Sequence, residues 1–218
     1  MGRVTLERPW IEFDLGAEMR VLSWAVNRPG LVTARRILWR EVRNSDLPPG
    51  LDVREWFAAE LFARSGEDAV AFLTSRDVRR YCEATAEVEG ICAHAVATVG
   101  LSNAERVGSR IDYSSRNWGT INVAVHLTHG LTHAGLIEAM SIAVQARTAA
   151  VMEAGITLPA GAATGTGTDC VAVAAPAGAN PYAGLHTATG EAIGKAVYQA
   201  VRIGALEWKS TNRRAADA

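Results

Sequence analysis

Cysteine is scarce in this chain of 218 residues: there are three, Cys82, Cys92 and Cys170, with no Cys-x-x-Cys pair among them. An odd, widely spaced set gives no disulfide framework and no thiolate zinc motif, and buried free thiols fit a reducing compartment. Excess charge is missing too. Lys+Arg 22 stand against Asp+Glu 23, a formal net charge of -1, so the balance favours neither nucleic acid nor an anionic membrane as partner. No apolar run reaches the length of a membrane span, and Met1 to Arg8 carries charges where a signal peptide needs an apolar core. No linker interrupts the chain and no segment repeats. The expectation is one domain over 1–218, soluble and cytoplasmic, with a frayed polar tail after about Trp208.

What is present is an unusual run, Thr164 to Asp169, in which Gly165 and Gly167 alternate with Thr164, Thr166 and Thr168 directly before the apolar stretch Cys170 to Ala175. Glycine has no Cβ, so such an alternation exposes peptide N–H groups beside hydroxyls and can hydrogen-bond a carbonyl or an amide. The same residues also read as a Gly-rich loop leading into a buried strand. No Lys follows, as a P-loop requires, and the glycines precede the apolar run instead of opening a helix, so neither phosphate-binding pattern is met.

Around that run the chain alternates strand and helix signals. Trp10 to Asp14 and Val21 to Val26 read as two strands, with Leu15 to Met19 as their connection. After the turn Asn27 to Gly30, Ala34 to Val42 reads as a further strand. Asp52 is a candidate N-cap for a helix over Val53 to Arg64. Ala69 to Thr74, Tyr81 to Val88, Ile91 to Val99 and Gly119 to Leu127 read as strands, and Gly100 to Asn117 as a long loop walling the site. Thr132 caps a helix over Ala134 to Ala154, closed by Gly155, whose apolar stripe is Leu136, Ile137, Met140, Val144 and Val151. Arg147 falls inside that stripe, where it either snorkels outward or pairs with a buried acid or a ligand. A last helix runs from about Thr189 to Leu206 with a small-residue face, and Glu191 and Lys195 make a solvated pair opposite it. The expected fold class is α+β: a largely antiparallel sheet with helices packed on one face.

The histidines His126, His129 and His133 invite a metal, but no Glu accompanies them and Gly130 interrupts them, so no metal site is expected. Gly100 to Ala104 only faintly matches a nucleophile elbow. What remains are amides, hydroxyls, one acid and one imidazole at strand ends and in loops, a set suited to binding and hydrolysing an uncharged amide. His186 can serve as general acid or base at neutral pH, with Asp169 orienting it or activating water, although both also read as ordinary loop residues.

Several blocks, in order, resemble the adenosylcobinamide amidohydrolase family: Arg20 to Val26, His94 to Ala104, Gly119 to Asn122, Glu138 to Ala150, Thr164 to Asp169, and Tyr182 to Thr187 with Gly190 and Glu191. The resemblance implies a cobalamin-salvage enzyme that cleaves the amide between a corrin propionyl arm and aminopropanol, releasing adenosylcobyric acid. It names no nucleophile. The expected catalytic set is His186, Asp169 and Thr168, with Asn103, Asn122, Gly165, Thr166, Gly167 and Arg147 binding substrate. The expected partner is a corrinoid small molecule, with no nucleic acid, no membrane and no cofactor beyond the cobalt that the corrinoid carries; a homo-oligomer is left open. Two alternatives stand beside this: a self-processing enzyme with Thr166 or Thr168 as nucleophile, and a non-catalytic corrinoid carrier.

Overall fold

The computed structural model describes residues 2–110 and 118–216. In chain order the elements are β1 (Arg3–Glu7), β2 (Trp10–Ser23), β3 (Gly30–Glu41), α1 (Val53–Ala63), β4 (Val70–Thr74), β5 (Cys82–Val88), β6 (Ile91–Val99), β7 (Ala104–Glu105), β8 (Ile121–Leu127), α2 (His133–Glu153), β9 (Thr157–Leu158), β10 (Gly161–Ala162), β11 (Gly165–Thr166), β12 (Cys170–Ala175) and α3 (Ala188–Ala216). The main sheet runs β4-β3-β2-β12-β8-β6-β5, with β1 added on β2. Two of its pairs are parallel, β3 with β4 and β8 with β12; the rest are antiparallel. Each parallel pair needs a crossover, and α1 and α2 are those crossovers. The α+β sheet is therefore largely antiparallel, as the sequence predicts.

All three helices lie on one face. Even-numbered Trp10 and Leu22 of β2 point toward helices, Trp10 onto Phe57 and Leu61 of α1, and Leu22 toward the core under α2 and α3. Odd-numbered Ile11, Phe13 and Val21 point the other way. Among the described residues no α-helix covers the second face; only the 3-10 turn Val78–Arg80 adds Val78 to its core. Instead the sheet curls over itself, so that Phe13 stacks edge-on against His94 at 4.9 Å between rings. The edge strand β4 reaches across to the middle of the sheet: Asn122 Nδ2 donates to the Leu73 carbonyl at 2.7 Å, and Thr98 Oγ1 to Thr74 Oγ1 at 3.2 Å.

The helix ends follow their caps. Asp52 Oδ1 accepts from the N–H groups of Arg54 and Glu55 at 2.9 and 3.1 Å, Thr132 Oγ1 accepts from Gly135 N at 3.2 Å, and Gly155 takes φ +69° beyond α2. Three expectations need correction. Trp10 to Ser23 is one strand, because Leu15 to Met19 is a bulge after which pairing with β3 resumes at Met19 and Ala34. The buried stripe of α2 is made by Gly135, Leu136, Ala139, Ile142, Ala143, Ala150 and Val151, while Ile137 is 54% exposed. Beyond Trp208 the chain remains helical to Ala216, and Lys209 Nζ donates to the carbonyls of Ala154 and Gly155 at 2.7 and 3.0 Å, closing the end of α2. The small-residue face of α3 does bring its backbone close to the sheet: a Cβ on Gly204 would lie 2.7 Å from Val99 Cγ2.

Candidate active site

The Gly/Thr run sits where β8 and β12 begin, and three elements meet there. From below, β11 pairs with β7, setting Gly165 opposite Glu105 and Thr166 opposite Ala104. From the side, α2 passes with Arg147 on its sheet-facing stripe. From the sheet, Asp169 turns its carboxylate back under the run. That carboxylate is 7% exposed and accepts four hydrogen bonds: from Ile121 N at 3.0 Å and Thr166 Oγ1 on Oδ1, and from Thr166 N at 3.0 Å and Arg147 Nη1 on Oδ2. Burial pushes the Asp169 carboxyl above the usual carboxylate range, and the Arg147 guanidinium and the Thr166 and Ile121 donors pull it back. With every lone-pair direction occupied, Asp169 is a clamp that fixes the loop and holds Arg147.

Gly165 is required by this arrangement. A Cβ there would lie 2.1 Å from Arg147 Nη1 and 2.5 Å from Asp169 Oδ2, so any side chain displaces the ion pair. Arg147 also donates to the Thr164 carbonyl at 3.3 Å, and Trp24 Nε1 donates to the Asp169 carbonyl at 2.6 Å. The result is a rigid ledge of backbone.

Against that ledge opens a cleft of about 540 Å³. One wall is Thr164, Gly165 and Thr166; a second is the Val144, Arg147 and Thr148 side of α2; the third is the segment Glu105 to Arg110. Arg106 Nη1 donates to the Ala162 carbonyl at 2.9 Å, and Val107 N to Thr164 Oγ1 at 2.8 Å, which fixes the third wall to the first. Among the described residues the cleft thus carries three guanidinium groups, Arg106, Arg110 and Arg147, several hydroxyls, and one carboxylate, Glu105. Guanidinium and hydroxyl groups of this kind can polarise a carbonyl and hydrogen-bond amide oxygens.

Of the expected site residues, Gly165, Thr166 and Arg147 line the cleft, and Asp169 lies beneath it in contact with two of them. Gly167 faces Glu105, whose Oε1 is 3.1 Å from where a Cβ would stand. Thr168 is turned away: its hydroxyl donates to the Gly119 carbonyl at 3.0 Å and its carbonyl accepts from Thr120 Oγ1 at 2.9 Å. Asn122 is 1% exposed and spans the curled sheet to Leu73. Asn103 is also buried, packed against Gly119, with its Oδ1 lacking a hydrogen-bond partner among the described residues.

His186 is not brought to the ledge. Asp169 precedes β12, whereas His186 follows the loop beyond its far end, where Ala183 N donates to Glu138 Oε2 at 2.7 Å. β12 is six residues long, about 17 Å of strand at ~3.3 Å per residue. Glu138 stands nine positions before Arg147 on α2, about 13 Å of helix. The expected His186 and Asp169 acid/base pair is therefore not formed, and His186 is exposed on the surface. Among the peptide N–H groups of Gly165 to Thr168 that the Gly/Thr alternation was expected to expose, that of Thr166 is turned inward to Asp169 Oδ2, and the N–H of Thr164 just before them donates to the Glu105 carbonyl. The expected loop wall is real over 105–110; residues 111–117 lie outside the described residues. Sequence reasoning did not single out Glu105, Arg106 and Arg110, although their place directly after Asn103 in that wall was the available signal.

The model of the adenosylcobinamide amidohydrolase family, CbiZ, matches residues 2–213. The chain belongs to this family. As an adenosylcobinamide amidohydrolase family member it is a hydrolase of carbon–nitrogen bonds in cobalamin salvage, and the family implies a corrinoid substrate. No curated protein matches the chain. Among solved structures it is similar to the PH0078 protein from Pyrococcus horikoshii OT3, with 11% identity over 93% of this chain and 78% of that one and a TM-score of 0.47. Among the described residues no helix is long and apolar enough to cross a membrane.

Proposed function

We propose that the chain hydrolyses the amide joining a corrin propionyl arm to aminopropanol in adenosylcobinamide, giving adenosylcobyric acid and free aminopropanol. The observation that carries this reading is the ledge itself, a glycine-stripped backbone edge clamped by Arg147 and Asp169 at the wall of a cleft of small-molecule size. In it, the scissile arm lies along Gly165 and Thr166, and the corrin rim with its remaining arms rests outside. The guanidinium groups of Arg106 and Arg147 supply positive charge to the carbonyl oxygen as it becomes an oxyanion. Fixed donors of this kind contribute on the order of a few kcal/mol each to the transition state. The reaction consumes water and needs no cofactor beyond the cobalt that the corrinoid carries.

The test is incubation of the purified protein with adenosylcobinamide, following aminopropanol and the new corrinoid acid by chromatography. Stoichiometric release of both is the expected result. Tight binding with no aminopropanol released over hours would make the protein a corrinoid carrier and overturn the reading. A protein recovered as two fragments broken within Thr164 to Asp169 would instead support a self-processing threonine nucleophile.

A further inference from the structure

We infer that Glu105 is the general base that activates the hydrolytic water, a role that rests on the amide hydrolysis proposed above. The inference starts from which carboxylates are free to take a proton. Asp169, the acid nearest the ledge, is surrounded by four donors and has no open face toward the cleft. No histidine lines the cleft among the described residues, and Glu105 is the one carboxylate that does. Its backbone is fixed: Gly165 stands opposite it in the short ladder of β7 and β11, and its carbonyl accepts from Thr164 N at 2.8 Å. Its side chain has no hydrogen bond or ion pair among the described residues.

The position of that side chain is set by a second missing Cβ. Glu105 Oε1 lies 3.1 Å from the place a Cβ on Gly167 would occupy, so a side chain at 167 would crowd the carboxylate where it lies over the Gly/Thr turn and make it give by a few tenths of an ångström. The two glycines then divide the work. Gly165 leaves space for the Arg147 and Asp169 clamp on one side of the backbone, and Gly167 leaves space for Glu105 on the other.

In the step this permits, Glu105 takes a proton from water as the water oxygen bonds to the amide carbon, and the carbonyl oxygen becomes an oxyanion facing Arg106 and Arg147. The carbon–nitrogen bond then breaks. The leaving nitrogen takes the proton from the Glu105 carboxylic acid, so a carboxylic acid and an amine are formed, Glu105 returns to its starting state, and the product acid's own proton passes to the amine to leave a carboxylate and an ammonium.

The test compares wild type with Glu105→Gln and Glu105→Ala, all checked for native circular dichroism, in release of aminopropanol from adenosylcobinamide. Expected are a fall in kcat of about 100-fold or more in both variants, corrinoid binding retained within about threefold, and loss of the acid-side decline in the pH–rate profile. Added formate should restore part of the turnover of Glu105→Ala, because a small carboxylate can occupy the vacated place; a structural role would show no such rescue. Variants that turn over within about threefold of wild type, or a loss that formate does not relieve, would overturn the assignment. A wild-type protein that releases no aminopropanol would instead remove the proposed function itself.

Discussion

The parallel pair β8 and β12 has two ends, and they handle ionisable groups in opposite ways. At the end where the strands begin, Asp169 is buried but matched by Arg147, two peptide N–H groups and a hydroxyl. At the other end, His126 stands opposite Ala174 in the same pair, equally buried, with no acid paired to it among the described residues; its Nδ1 accepts from Gly2 N at 3.1 Å. Burial, helped by nearby His94, pulls the His126 pKa down to about 4, so the ring stays neutral. A charge kept and paired is a device for holding something else in place, here Arg147 and the ledge. A charge refused is packing. His186, beyond the same far end, is neither: it is exposed and has no hydrogen-bond partner among the described residues.

The largest effect should come from breaking the paired end. Asp169→Ala leaves Arg147 buried without its counter-charge and two N–H groups without acceptors, and should cost about 3–5 kcal/mol of stability in urea unfolding. A loss under about 1 kcal/mol would show that the clamp contributes little. The next effect belongs to the other end and is read by pH. As pH falls from about 6.5 toward about 4, the unfolded chain protonates His126 before the folded one does. Stability that is full above that window should decline by about 3 kcal/mol across it. His126→Gln should flatten that part of the profile, and an unchanged slope would assign the decline to other groups.

Gly165→Ala is a smaller intrusion at the paired end. The new methyl displaces Arg147 Nη1 or Asp169 Oδ2, for a cost of about 1–3 kcal/mol together with a marked loss of turnover. Turnover equal to wild type would separate the clamp from the chemistry. Smallest of all should be His186→Ala, within about 0.5 kcal/mol in stability and within about threefold in turnover. A 100-fold loss there would move the active site to the far end of β12 and reverse the comparison.

Much of this architecture is legible in the residues because its signals are local. Asp52, Thr132 and Gly155 mark helix ends by hydrogen-bond chemistry that needs no tertiary context, and strand alternation locates β5, β6 and β8. The bulge in β2 reads as a connection between two strands because Gly16, with φ +83° and its N–H donated to Asp14 Oδ1 at 2.9 Å, has the local chemistry of a turn. Only the partner strand reveals that pairing resumes. The stripe of α2 is hard to place from hydropathy because its sheet-facing contacts are made largely by glycine and alanine, which rank below Ile137 although they allow the closer approach.

The site was legible in its centre and not in its walls. A Gly/Thr alternation signals close approach by something, and Gly165, Thr166 and Arg147 do line the cleft. Nothing in the sequence says that Asp169 is saturated by donors, that Thr168 and Asn122 turn to the sheet, or that Glu105 lies over Gly167. Those facts depend on β7 meeting β11 across 60 positions of chain. His186 attracted attention as an imidazole in a Gly-containing segment, but the sequence does not tell at which end of a strand a loop finds itself.

The contact between Lys209 and the last carbonyls of α2 gives the C-terminal helix a reach beyond its own packing. Those carbonyls immediately precede the small hairpin of β9 and β10, which delivers the chain to Thr164. An ammonium borne on the final helix therefore anchors the approach ramp to the cleft. A protein shortened before residue 209 would keep every residue of the cleft and lose the mooring that keeps its near wall in line.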